Sequence, residues 1–156
     1  GWRARLFGYR SYYVPQTIIH HHGSAHWKWS PQVFYLLERN RWLVLLKNYS
    51  FSTLLKLCPS LIVIEFSMLG FFATKGLLLK KLKSYGSILG LFGHIIRQRK
   101  IIHNKRKISD IEIMRSFCGT IKIPSEANDS KLNNKFEKLL SSLCRFSGYD
   151  KIVREP

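Results

Sequence analysis

The sequence predicts a mainly helical chain with a short β portion, and three observations carry that expectation. A serine-proline start signal at Ser30-Pro31 opens a long apolar-polar run, "PQVFYLLERNRWLVLLKN". An 18-residue stretch from Leu57 to Thr74 holds a single charge, Glu65. Upstream, "YRSYYVPQTIIHHH" is crowded with β-branched and aromatic residues, the composition of a strand, with Pro15 as a break or an edge.

Taken in order, residues 2 to 7 of "GWRARLFGYR" read as an Arg-rich amphipathic helix that stops at Gly8-Tyr9, a glycine suited to a helix C-terminus. The pattern starts without a cap, so the helix is expected to begin upstream and the chain to be the rear portion of something longer. The helix after Ser30-Pro31 places Val33, Phe34, Leu37, Val44 and Leu45 at apolar positions. A polar cluster, Glu38, Arg39, Asn40 and Arg41, interrupts its middle.

As a helix, 57–74 would be about 27 Å long, against a bilayer core of about 30 Å. A carboxylate near its centre would cost about 2.5–3.5 kcal/mol on insertion. Basic residues lie on both sides: Lys47 and Lys56 before it, Lys75, Lys80, Lys81 and Lys83 after it. The positive-inside tendency resists moving either end across. A helix or helical hairpin in the cytoplasmic interface is therefore expected ahead of a transmembrane span or a soluble core helix. Beyond it, Tyr85, Ile88, Leu89, Phe92, Ile95 and Ile96 share one helical face, weakened by Gly86, Gly90 and Gly93. That helix ends in a basic block from Arg97 to Lys107, the pattern of a helix on an anionic membrane. "SDIE", Ser109 to Glu112, is a capping box for a short helix through Phe117. A polar linker follows Ile123, and Leu132, Phe136, Leu139, Leu140 and Leu143 mark a final amphipathic helix. The expected organisation is 1–48, 49–107, 108–123 and 124–156.

The balance of 26 Lys plus Arg against 9 Asp plus Glu, a net charge of +17, calls for an anionic partner such as phospholipid, nucleic acid or a phosphorylated substrate. Nucleic acid is not expected. Trp27, Trp29 and Trp42 are mixed into apolar segments, and no recognition signature accompanies them. Cys58, Cys118 and Cys144 show no paired spacing, which excludes a disulfide framework or zinc ribbon and predicts buried thiols. His20, His21, His22 and His26 suggest a metal cluster, but no acidic or cysteine ligand stands beside them. No phosphate loop, nucleophile elbow or catalytic triad can be assembled.

The ordered series "WRARLFGYRSYYVPQTIIHHHGSA" and "SPQVFYLLERNRWLVLLKNYS" resembles the rear of family 2 glycosyltransferases, particularly the rhamnosyltransferase-like group, over roughly residues 1 to 118. The resemblance implies the C-terminal fragment of an α/β GT-A-like domain followed by membrane-associated helices. It implies a nucleotide-sugar donor, a divalent metal (Mg or Mn), anionic membrane lipids, and a lipid-linked or polysaccharide acceptor at the cytoplasmic face. Residue by residue, Arg3 matches the arginine that follows the family's acidic stretch, and Gly8-Tyr9 its Gly-Tyr. His21, counted back from Gly23-Ser24, matches the histidine expected near the donor diphosphate and its metal. Arg39, Asn40 and Arg41 match an Arg-Asn-Arg near the acceptor side. The family's nucleotide-binding front half, its Asp-x-Asp and its Glu-Asp pair are not in these residues. The competing class is a non-enzymatic basic module for membrane surfaces.

Overall fold

The computed structural model describes residues 1–18, 30–116 and 142. Helix accounts for 75% of them and strand for none, so the mainly helical expectation holds. Six helices of defined bounds follow in order among the described residues: α1 (Trp2–Leu6), α2 (Pro31–Asn48), α3 (Phe51–Thr74), α4 (Leu78–Gly90), α5 (Phe92–Asn104) and α6 (Asp110–Met114).

The chain divides into two compact units. The first is Gly1–Tyr49 with Met68–Lys107, and the second is Ser50–Ser67 with the described residues after Lys107. In the first, α1 ends as its glycine requires. The Tyr9 N–H donates to the Ala4 carbonyl (3.0 Å) and the Gly8 N–H to Arg5 (2.9 Å), with Gly8 at φ +88°. Those two bonds are a Schellman closure, and the left-handed φ is why glycine stands there. Helix α2 starts at the Ser30 cap, whose hydroxyl accepts the Val33 N–H at 3.4 Å. It packs against both α4 and α5. Leu6, Phe72, Ile95 and Ile102 are almost fully buried, and Phe34 sets its ring edge-on to Phe72 at 5.7 Å between centroids. The far end of α2 is held by guanidinium groups: Arg99 donates to the Leu46 carbonyl (2.5 Å) and Arg106 to that of Asn48 (3.5 Å). Cations at helix carbonyl ends complement the macrodipole.

In the second unit, the Ser50 hydroxyl accepts the Thr53 N–H (3.2 Å) and so caps the start of α3. The Ser50 N–H in turn donates to the buried Asp110 carboxylate at 2.8 Å. Ser109 caps α6 through the Glu112 N–H at 3.2 Å, as the "SDIE" box predicts. Asp110→Ala is expected to cost about 1–3 kcal/mol, because the half-buried Ser50 N–H loses a charged acceptor. Hydrogen exchange at the Ser50 amide measures it, and an unchanged rate would show that the bond contributes nothing.

Several expectations are corrected or narrowed. The short β portion is absent from the described residues: 9–18 run without a ladder partner, turning at Pro15 and Gln16. Tyr9, Tyr12, Tyr13, Val14 and Ile18 are 54–89% exposed, because a strand needs a neighbouring edge and local composition cannot supply one. Of the two forms expected for 57–74, a helix or a helical hairpin, the structure has the helix, as part of one continuous α3 that begins six residues earlier and carries Pro59 inside it. The single helix expected around 85–96 is two, broken at Leu91 (φ −94°, ψ 6°) where Gly90 ends α4. Ile95 is buried while Leu89, Phe92 and Ile96 are exposed, so the shared apolar face points partly outward. Cys58 is exposed rather than buried, since α3 turns that face outward. Helix α6 stops at Met114, short of Phe117. The histidine cluster, the linker and the last amphipathic helix lie outside the described residues, Ser142 excepted.

Candidate functional site

Helix α2 carries the polar cluster, and the structure sorts its members onto two sides. Residues two apart on a helix diverge by about 200°. Arg39 turns to its neighbour, with its Nε and an Nη donating to Asn40 Oδ1 at 3.3 and 3.1 Å. Its guanidinium also lies 5.6 Å from the centre of the Tyr35 ring, and the Lys83 ammonium lies 5.8 Å from the same ring. The Tyr35 hydroxyl is held below the ordinary phenol range, first by its hydrogen bond with Ser87, with smaller help from Arg39 and Lys83 against an opposing effect of burial. Tyr35, Arg39, Asn40 and Lys83 together make a polar, cation-rich surface around one aromatic ring. Such a surface can stack on a flat apolar group and pair with an anion.

Arg41 turns the other way. It donates to the Glu38 carboxylate at 2.9 Å and sits 5.4 Å from the Trp42 ring centre. The same Glu38 oxygen accepts from the Lys81 ammonium. Glu38 is buried and Lys81 is completely so, with the ammonium 5.1 Å from the Tyr85 ring centre and 5.7 Å from that of Phe72. In the sequence Lys81 is one of the basic residues that flank the apolar stretch. The structure sets it apart from the others as the buried partner of the first carboxylate in the chain. One signal pointed to it: Glu38 is the sole acidic residue before Glu65. With its carboxylate shared between two cations, Glu38 is a packing element and not a base open to an acceptor hydroxyl.

A second cationic group gathers at the C-terminal end of α2. Lys47 has its pKa pushed down by burial and, next, by the Arg3 guanidinium. A lysine whose folded-state pKa falls below its unfolded value binds fewer protons folded than unfolded in the window just below 10.5. Its contribution to stability therefore rises with pH across that window and levels off above it. Arg3→Ala is expected to move the Lys47 pKa back up toward the ordinary lysine range. A pH titration of the lysine side-chain carbons by NMR measures this, and an unmoved midpoint would remove Arg3 as a cause.

Of the residues singled out from sequence, Arg3 neighbours Lys47, while Arg39, Asn40 and Arg41 lie one to two turns further toward the start of α2. Lys47 and Arg39 are about 12 Å apart along the axis, so the structure brings these residues to one helix but not to one point. His21 lies outside the described residues. Among the described residues no group of His, Cys, Asp or Glu could hold a metal ion. The divalent metal implied by the resemblance would have to draw its ligands from elsewhere. No family model, no curated protein and no solved structure matches this chain.

Proposed function

We propose that this chain is the C-terminal segment of a membrane-associated glycosyltransferase with a GT-A-like catalytic domain. Its parent uses a nucleotide-sugar donor and a lipid-linked or polysaccharide acceptor, in polysaccharide biosynthesis at the cytoplasmic face. The observation that carries the membrane part is α3. It is 24 residues long, about 36 Å, and only 11% of its 18-residue apolar window is buried. Phe51, Leu55, Ile62 and Phe66 stand exposed on it, an arrangement that water disfavours and an apolar medium accepts. The transferase part rests on the ordered series from Arg3 to Asn48. In this reading Arg3 is the arginine that follows the parent's acidic stretch, His21 belongs to the donor-diphosphate side, and Arg39, Asn40 and Arg41 serve the acceptor side.

Inverting sugar transfer needs a carboxylate to take the acceptor proton. Glu38 and Glu65 are the only carboxylates in residues 1–109; Glu38 is occupied by Lys81 and Arg41 and Glu65 sits on the apolar helix, so in this reading the base belongs to the parent's Glu-Asp pair. The purified 156-residue chain is therefore expected to transfer no sugar from any nucleotide-sugar donor, and the product of the whole reading frame is expected to do so. An upstream frame without Asp-x-Asp and Glu-Asp would overturn the transferase reading. It would leave a basic module for membrane surfaces, which the exposed Leu82, Leu89, Phe92 and Ile96 beside Lys83, Arg97 and Lys100 would also serve.

A further inference from the structure

We infer that the groove between the end of α1 and the exit of α5 is a binding site for a phosphate group, either free or on a lipid headgroup. The groove is open to solvent, has a volume of about 470 Å³ and is lined by Phe7, Tyr9, Asn104, Lys105, Arg106 and Lys107. Three consecutive cations thus face one space, joined by a side-chain amide and two aromatic rings. The inference does not depend on the transferase reading, because it uses only this chain's own charges and shape.

The groove is built by backbone. The Lys107 N–H donates to the Leu6 carbonyl at 2.8 Å, which ties the segment after α5 to the last turn of α1. Gly8, held at φ +88° by the Schellman closure, leaves room for the Lys107 stem. A Cβ on Gly8 would meet Lys107 Cδ at 3.4 Å. Arg106 is steadied by its reach to the Asn48 carbonyl. Lys105 and Lys107 are exposed.

The charge balance decides the sign of the ligand. No carboxylate lines the groove, and Glu38 is the only one in the sequence of Gly1–Tyr49 and Met68–Lys107. Glu38 is ten residues before Asn48, about 15 Å along α2, and is already engaged by Lys81 and Arg41. The carbonyl end of α5 contributes about half a negative charge, which three full positive charges exceed several-fold. Such a concentration favours a doubly charged, multi-oxygen anion over a chloride or a lone carboxylate. The exposed lysines offer point charges that phosphate oxygens accept, and Arg106, held toward the Asn48 carbonyl, adds a third positive charge beside them. Phe7 and Tyr9 form the wall that an ester or lipid portion would touch.

The test uses the full chain in neutral detergent micelles and two probes. Calorimetric titration with inorganic pyrophosphate reads free phosphate, and flotation with phosphatidylcholine vesicles containing phosphatidic acid reads the headgroup. Lys105→Gln with Lys107→Gln is expected to weaken binding about tenfold or more per lysine. Gly8→Ala keeps every charge but strains the φ +88° closure that positions the end of α1 against Lys107, and is expected to weaken binding with the helical circular dichroism unchanged. Arg5→Gln with Arg115→Gln, the same charge change at exposed positions that do not line the groove, is expected to leave it intact. Pyrophosphate binding with this pattern assigns a free phosphate, and the pattern on vesicles alone assigns the headgroup. Equal losses in the two double variants, or no binding of either probe, would overturn the site whatever the outcome of the sugar-transfer assay.

Discussion

Glu38→Ala is expected to destabilise the chain by about 3–5 kcal/mol, the cost of leaving a buried charge without its counter-ion. Lys81 is wholly inaccessible, enclosed by α2, α4 and the rings of Phe72 and Tyr85, so water cannot replace the lost carboxylate. Arg41 would lose its 2.9 Å acceptor as well, but it is partly exposed and can re-solvate. The informative comparison is Glu38→Leu combined with Lys81→Met. Replacing both charges by apolar groups of similar volume is expected to be neutral or stabilising, although each single change is severe. Urea unfolding followed by circular dichroism supplies the double-mutant cycle. A single-variant cost below about 1 kcal/mol would mean that the pair is solvated, as surface ion pairs are.

Ile62→Arg is expected to weaken membrane association by roughly a hundredfold. Ile62 lies at the midpoint of α3 and is 49% exposed, and a cation at a helix centre costs about 2.5–3.5 kcal/mol on transfer to the bilayer. Vesicle flotation measures the change, and undiminished binding would show that α3 is not the embedded element. Topology is a separate question, answered by labelling Phe51→Cys and Thr74→Cys in a Cys58→Ser, Cys118→Ser, Cys144→Ser background with an impermeant maleimide. Lys56 near one end and Lys75 just past the other favour keeping both ends on the cytoplasmic side, so both positions are expected to label from there. Protection of one end would make α3 a span, which its length of about 36 Å permits.

The parts of this structure legible in the sequence are those whose chemistry is local. Ser30-Pro31, Gly8 and Ser109 announced their helix ends because a cap is settled within about four residues of chain. The parts that were not legible depend on partners far away in sequence. Lys81 looks like any of its neighbouring lysines until Glu38, 43 residues earlier, is placed against it. Leu91 gives no sign of interrupting a helix, although Gly90 and Gly93 beside it lower the cost of doing so. Lys56 read as a boundary of the apolar stretch, yet α3 runs through it back to the Ser50 cap, which is itself held by Asp110. For the candidate site, Arg39, Asn40 and Arg41 form one motif on paper. The helix divides them, because a spacing of two residues points side chains apart.

The pairing of Glu38 with Lys81 also sets an order of events during synthesis. At about 5–20 residues per second, the ribosome needs roughly 2–9 s to add the 43 residues that separate them. All of α3 is made in that interval. While the nascent chain waits for Lys81, Arg41 is the neighbour on hand to balance Glu38, and α2 cannot close its charged interior. The apolar helix is thus translated, and exposed to whatever receives it, before the buried lysine that locks α2 to α4 exists.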